Sequence, residues 1–121
     1  MALTLNHLNI VVSDLERSIE FYSRFFACRE WLREGDGFAV LRCGDFDLAL
    51  TRGKPSFAPG FHFGFRLATL AEAEEWQRRL MGQPVQILEP WLAEDDYASF
   101  SIEDPDGYRV QLYWERAAAD P

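Results

Sequence analysis

Apolar and polar residues alternate with a period of two from residue 5 to residue 12. Leu8, Ile10 and Val12 fall on one face, and Leu5, His7, Asn9 and Val11 on the other, the pattern of a half-buried strand. The period then changes. Ser13 followed by Glu16 reads as a capping box. Leu15, Ile19, Tyr22 and Phe26 recur at helical spacing, predicting an amphipathic helix to about residue 26. Three short strand-like runs follow at 28–33, 38–43 and 46–51, separated by the turn signals Gly35-Asp36-Gly37 and Gly44-Asp45.

After a segment rich in Gly and Pro at 53–60, the same pattern restarts. Phe61, Phe63, Phe65 and Leu67 form one face of a strand, and His62, Gly64 and Arg66 the other. Thr69 and Glu72 make a second capping box. Ala73, Trp76 and Leu80 continue a helical stripe that Gly82 and Pro84 end. Strand-like runs then occupy 85–89, 98–103 and 108–114, the last preceded by the turn Asp104-Pro105-Asp106-Gly107. The order is βαβββ, linker, βαβββ, an internal repeat with a period of about 55–60 residues. The expected fold is α+β: two βαβββ modules (about 4–52 and 61–115) in one domain, giving a curled mixed sheet, or cup, with two outer helices. The short Ala-rich tail after Glu115 is expected to fray.

The polar strand faces bear on function. His7 and His62 hold equivalent places in the two repeats, and Ala49 and Gln111 form a second equivalent pair. A curled sheet would turn all four toward one axis. The expected core faces are Leu8/Ile10/Val12, Phe46/Leu48/Leu50, Phe61/Phe63/Phe65 and Val110/Leu112/Trp114.

Composition narrows the function. The chain has 121 residues, 48% hydrophobic and 26% charged, a globular mixture. A net charge of -8 repels nucleic acid and anionic membrane, and suits solubility or a cationic ligand. Aromatics reach 15%, with ten Phe and four Trp, enough for some to line a pocket. Cys28 and Cys43 have no zinc-type spacing and make no disulfide framework. Cys43 has no electropositive neighbour in sequence and reads as packing. With no leader-like segment at the N-terminus and no apolar run long enough to span a bilayer, the expectation is a cytoplasmic protein.

The segments Leu5-Asn6-His7-Leu8 with Val11-Val12-Ser13-Asp14-Leu15-Glu16-Arg17-Ser18-Ile19-Glu20-Phe21-Tyr22, the His62 strand, and Asp104-Pro105-Asp106-Gly107-Tyr108-Arg109-Val110-Gln111-Leu112 together resemble the vicinal oxygen chelate superfamily. That group includes glyoxalase I, fosfomycin-inactivating thiol transferases, extradiol dioxygenases and bleomycin-resistance proteins. The resemblance spans about residues 3–115. It implies a divalent ion (Zn, Ni, Mn or Fe) held at His7, His62 and Gln111. It also implies a small-molecule substrate chelating that ion through two neighbouring oxygens, and a homodimer. Gln111 departs from the Glu usual at its position, and Ala49 stands where some glyoxalases add a ligand. A His/His/Gln set carries one negative charge fewer than His/His/Glu, so it should bind an ion more weakly and leave it a stronger Lewis acid.

Asn9, Arg66, Arg109, Tyr113 and Trp91 are candidates for substrate contact, with Arg42 a further site for an anionic group. Trp91, Tyr97 and Glu94-Asp95-Asp96 read as a loop that could form a lid. No catalytic base is assigned; Glu103 and Asp47 are the nearest carboxylates in sequence. The resembling fosfomycin enzymes carry a Lys and a cation-binding loop before the final strands. This chain reads Ala93-Glu94-Asp95-Asp96-Tyr97-Ala98-Ser99 there, and its only Lys is Lys54, which argues against that chemistry. The expected function is therefore a metal-dependent enzyme of glyoxalase or dioxygenase type. The alternative is a metal-free, bleomycin-resistance-type protein that sequesters a cationic or aromatic ligand with Trp31, Trp91 and Phe57; a third reading is an accessory domain without either activity.

Overall fold

A computed structural model of the chain describes residues 1–117. The elements run β1 (His7–Val12), α1 (Leu15–Phe26), β2 (Arg29–Glu34), β3 (Phe38–Cys43), β4 (Phe46–Arg52), β5 (His62–Arg66), α2 (Leu70–Met81), β6 (Gln86–Glu94), β7 (Tyr97–Glu103) and β8 (Arg109–Glu115). This is the doubled βαβββ order and α+β class expected. Hydrogen bonding gathers the strands into two four-stranded mixed sheets, β1-β4-β3-β2 and β5-β8-β7-β6. The chain forms two compact units that meet in sequence at Ala58 and Pro59, inside the expected linker. The part of the tail at 118–121 lies outside the described residues. Its first residue, Arg116, is held by an ion pair to Asp96 and by a backbone bond to the Asp96 carbonyl.

In the first unit β1 lies parallel to β4, which pairs antiparallel with β3. One face of this sheet is core: Ile10, Val12, Ala39, Leu41, Leu48 and Leu50 are all buried. The α1 stripe of Leu15, Ile19, Tyr22 and Phe26 is buried too, each large apolar side chain contributing about 1.5–3 kcal/mol. Asp14 caps α1, accepting from the Arg17 backbone N–H at 3.1 Å. The expected cap, Ser13, instead accepts from the Arg17 guanidinium at 2.8 Å; the longer, charged Asp side chain takes the helix dipole. The helix ends at Ala27, whose φ of 56° is left-handed, a conformation costing a residue with a Cβ roughly 1–2 kcal/mol.

Cys28 and Cys43 form a disulfide, with their Cα atoms 4.4 Å apart. This corrects the reading of Cys43 as packing. The antiparallel register sets Arg29 against Arg42, so the residues just outside that pair face each other. Strand register is what brings them together, and spacing alone does not show it. No helix among the described residues is long and apolar enough to cross a membrane.

In the second unit β5 is parallel to β8, and β8 is antiparallel to β7. Ala98, Phe100, Ile102, Val110 and Leu112 form its buried face, with Ala73 and Leu80 of α2 also buried. Thr69 caps α2 as expected: it accepts from Glu72 N–H, and Glu72 accepts from Ala68 N–H. Phe63 and Phe65 of strand β5 are only partly buried, since β5 is the edge strand of its sheet, next to β8, and Phe61 just before it is 37% exposed. Strand β6 extends to Glu94, so the expected loop carrying Trp91 is strand. Only Asp95 and Asp96 separate β6 from β7.

Candidate metal centre

Each sheet carries its polar residues on the face away from its helix. In the first unit, register sets His7 beside Asp47, Asn9 beside Ala49 and Val11 beside Thr51. In the second, it sets His62 beside Arg109, Gly64 beside Gln111 and Arg66 beside Tyr113. The two lists correspond position by position. His7 and His62 are equivalent within their own sheets, as are Ala49 and Gln111.

The two imidazoles are held in the same way. His62 Nδ1 lies 3.0 Å from the Gly60 carbonyl. A carbonyl only accepts, so Nδ1 carries the hydrogen and Nε2 keeps its lone pair. His7 Nδ1 lies 2.9 Å from Asn6 Oδ1, with the same consequence. An oxygen acceptor behind one ring nitrogen is the arrangement that orients a metal-binding imidazole. Neither Asn6 nor Gly60 is a candidate site residue in the sequence; the Asn6 side chain and the Gly60 carbonyl are seen behind the rings only in the folded chain.

Gln111 lies diagonally from His62 on the same face of the second sheet, because Gly64 is its direct neighbour. A Cβ at Gly64 would stand 2.8 Å from the Gln111 backbone oxygen, so close approach of the two strands requires glycine here. The Gln111 amide donates from Nε2 to the Tyr97 hydroxyl at 2.9 Å. Among the described residues no group of three or more His, Cys, Asp or Glu is placed to hold a metal. A three-donor set on the expected positions therefore needs the Gln111 carbonyl oxygen. Two imidazole nitrogens and one amide oxygen suit a borderline first-row divalent ion.

The other candidates divide. Asn9 accepts from Thr51 Oγ1 at 3.0 Å and sits two residues from His7 on the same face. The arginines have acidic partners: Arg42 bonds Asp47 at 3.0 Å, Arg66 lies 3.7 Å from Glu115, and Arg109 3.9 Å from Glu89. The latter two are loose, half-exposed pairs that an anionic group could compete for. Tyr113 lies on the polar face, its ring 6.4 Å from that of Tyr97. Trp91 lies elsewhere. Its ring packs on Phe100 at 6.1 Å, and it lines an apolar groove of about 400 Å³ with Gln77 and Met81 of α2. Its side chain thus sits on the helix side of the sheet, away from the His62 face. Of the two carboxylates nearest in sequence, Asp47 is committed to Arg42 and Glu103 stands opposite Arg109.

Two mixed sheets of βαβββ order, with a histidine at the same position in each, define a class of small proteins built by duplication of one module. The chain belongs to the Glyoxalase/Bleomycin resistance protein/Dioxygenase superfamily, whose family model matches residues 4–112. It is 32% identical to the glutathione transferase FosA of Serratia marcescens, over 98% of this chain and 86% of that protein. It is 31% identical to the metallothiol transferase FosB of Staphylococcus saprophyticus, over 93% of this chain and 78% of that protein. The crystal structure of the fosfomycin resistance protein FosX from Listeria monocytogenes superposes with a TM-score of 0.79 at 18% identity, covering 94% of each chain. FosA and FosB are thiol transferases, the chemistry that the residues at 93–99 argue against.

Proposed function

We propose that this protein is a divalent-metal enzyme in which His7, His62 and Gln111 supply the ligands. Its substrate is a small molecule that presents two adjacent oxygens. The observation that carries the reading is the matched pair of histidines, each donating from Nδ1 to an oxygen and each left with a free Nε2. When bound, the ion would act as a Lewis acid on the two substrate oxygens. The chain's own groups would do the rest. Asn9 and the Tyr97 hydroxyl offer hydrogen bonds on the polar faces. Arg66 and Arg109 are positioned to exchange their loose partners for a charged part of the substrate. No carboxylate stands at position 111, so proton transfer would fall to the substrate, to water or to a group other than residue 111.

The metal-free drug-sequestering reading has less support. Trp31 has the Arg42 guanidinium over its ring at 4.0 Å, and Trp91 packs on Phe100, so both of its tryptophans are already engaged. The similarity to FosA and FosB makes thiol transfer to fosfomycin the activity to assay beside glyoxalase and dioxygenase substrates. The β6–β7 turn, with Asp95 and Asp96 in place of a lysine-bearing loop, favours the glyoxalase or dioxygenase type.

Elemental analysis and titration with Mn, Fe, Ni and Zn test the proposal. About one divalent ion per chain is expected in the wild type, lost in both His7→Ala and His62→Ala. A wild-type protein that takes up none of the four ions eliminates it. Turnover of fosfomycin with glutathione, and of nothing else in the panel, would move the chain to thiol transfer.

A further inference from the structure

Gln111 poses a chemical problem that a glutamate would not. A carboxylate has two equivalent oxygens, so either end of the group can face a cation. An amide has one oxygen and one NH2, and the NH2 end repels a cation. A glutamine serves as a ligand only if something holds its amide the right way round. We infer that Tyr97 is that positioning residue: its hydroxyl accepts from Gln111 Nε2 at 2.9 Å and leaves Oε1 as the end of the side chain free to face an ion. This rests on the metal reading above and deepens it.

Tyr97 is itself well anchored. It opens β7 directly after the Asp95-Asp96 turn and pairs in register with Glu115. The turn is tied to the C-terminal end of β8 by the Arg116–Asp96 ion pair and by the Arg116 N–H bond to the Asp96 carbonyl at 2.8 Å. Its ring stands 6.4 Å from that of Tyr113, the residue two beyond Gln111 on the same face. The hydroxyl therefore occupies a defined point above the amide. Groups that orient a ligand in this way typically change metal affinity by about 10–100-fold when removed.

The test is calorimetric titration of Mn(II) and Ni(II) into the wild type, Tyr97→Phe, Gln111→Glu and the double variant, with the melting temperature of each as a folding control. Tyr97→Phe should weaken binding by about 10–100-fold with little change in melting temperature. Gln111→Glu should bind more tightly than the wild type. Adding Tyr97→Phe to it should change affinity by less than about threefold, because a carboxylate needs no such orientation. A Tyr97→Phe variant that binds like the wild type overturns the inference, and so does an equal loss in the Gln and Glu backgrounds. Failure of the wild type to bind either ion would remove the metal reading and this inference with it. Binding by the wild type that Tyr97→Phe leaves intact would remove the inference alone.

Discussion

Replacing Gly64 with alanine would place a methyl group where the structure has no room. The new Cβ would lie 2.8 Å from the Gln111 backbone oxygen and 3.1 Å from the Gln111 Cβ, against ordinary contact that begins at 3.4 Å. At least about 0.6 Å of movement is needed, and the nearest obstacle is backbone, which cannot rotate away. The strands must part. Strand β5 is bonded only to β8 and through five residue pairs, so little else resists its displacement. Overpacking of this kind costs about 1–3 kcal/mol, which for a domain of this size lowers the melting temperature by roughly 5–15 °C. The assay is thermal or urea unfolding of Gly64→Ala beside Gly37→Ala, whose added Cβ meets nothing within 4 Å. The control should stay within about 0.5 kcal/mol of wild type. The Gly64 variant should also bind metal more weakly, because the strand that moves, β5, carries His62 and shifts it relative to Gln111 on β8. A Gly64→Ala protein as stable as the control would refute the close approach of β5 and β8 on which the placement of Gln111 depends.

Ala27 offers the opposite sign: Ala27→Gly relieves the left-handed strain at φ 56° and should raise stability by about 0.5–1 kcal/mol in urea denaturation. Thiol titration in denaturant should find no free thiol before reduction, since Cys28 and Cys43 are paired, and the Cys28→Ser/Cys43→Ser variant should lose about 3 kcal/mol for a loop of this length. Glu16 is held below the usual carboxyl range by its hydrogen bond to Arg33, a link from α1 to β2. A folded value below the unfolded one means the contribution is present above about pH 4.5 and is lost as pH falls through the lowered value. Glu16→Gln should therefore lower stability slightly above about pH 4.5 and converge with the wild type in acid, so that urea denaturation across pH gives a flatter acid limb.

The local pattern of the chain determined a good deal. Alternation in 5–12 and 61–67, the stripe Leu15–Ile19–Tyr22–Phe26 and the Thr69–Glu72 box lead to the right elements in the right order, because strand period, helix period and capping act between residues near in sequence. The repeat made His7 and His62 stand out before any coordinates, and the register pairs in each sheet confirm that they are equivalent. What only the tertiary structure decided is which side chains meet across strands. Cys28 meets Cys43, Gln111 meets Tyr97, Gly64 admits the Gln111 backbone, and Trp91 turns to Phe100 on the helix side. Each depends on strand register and on where β6 ends, and a shift of one residue in a strand carries every side chain to the opposite face.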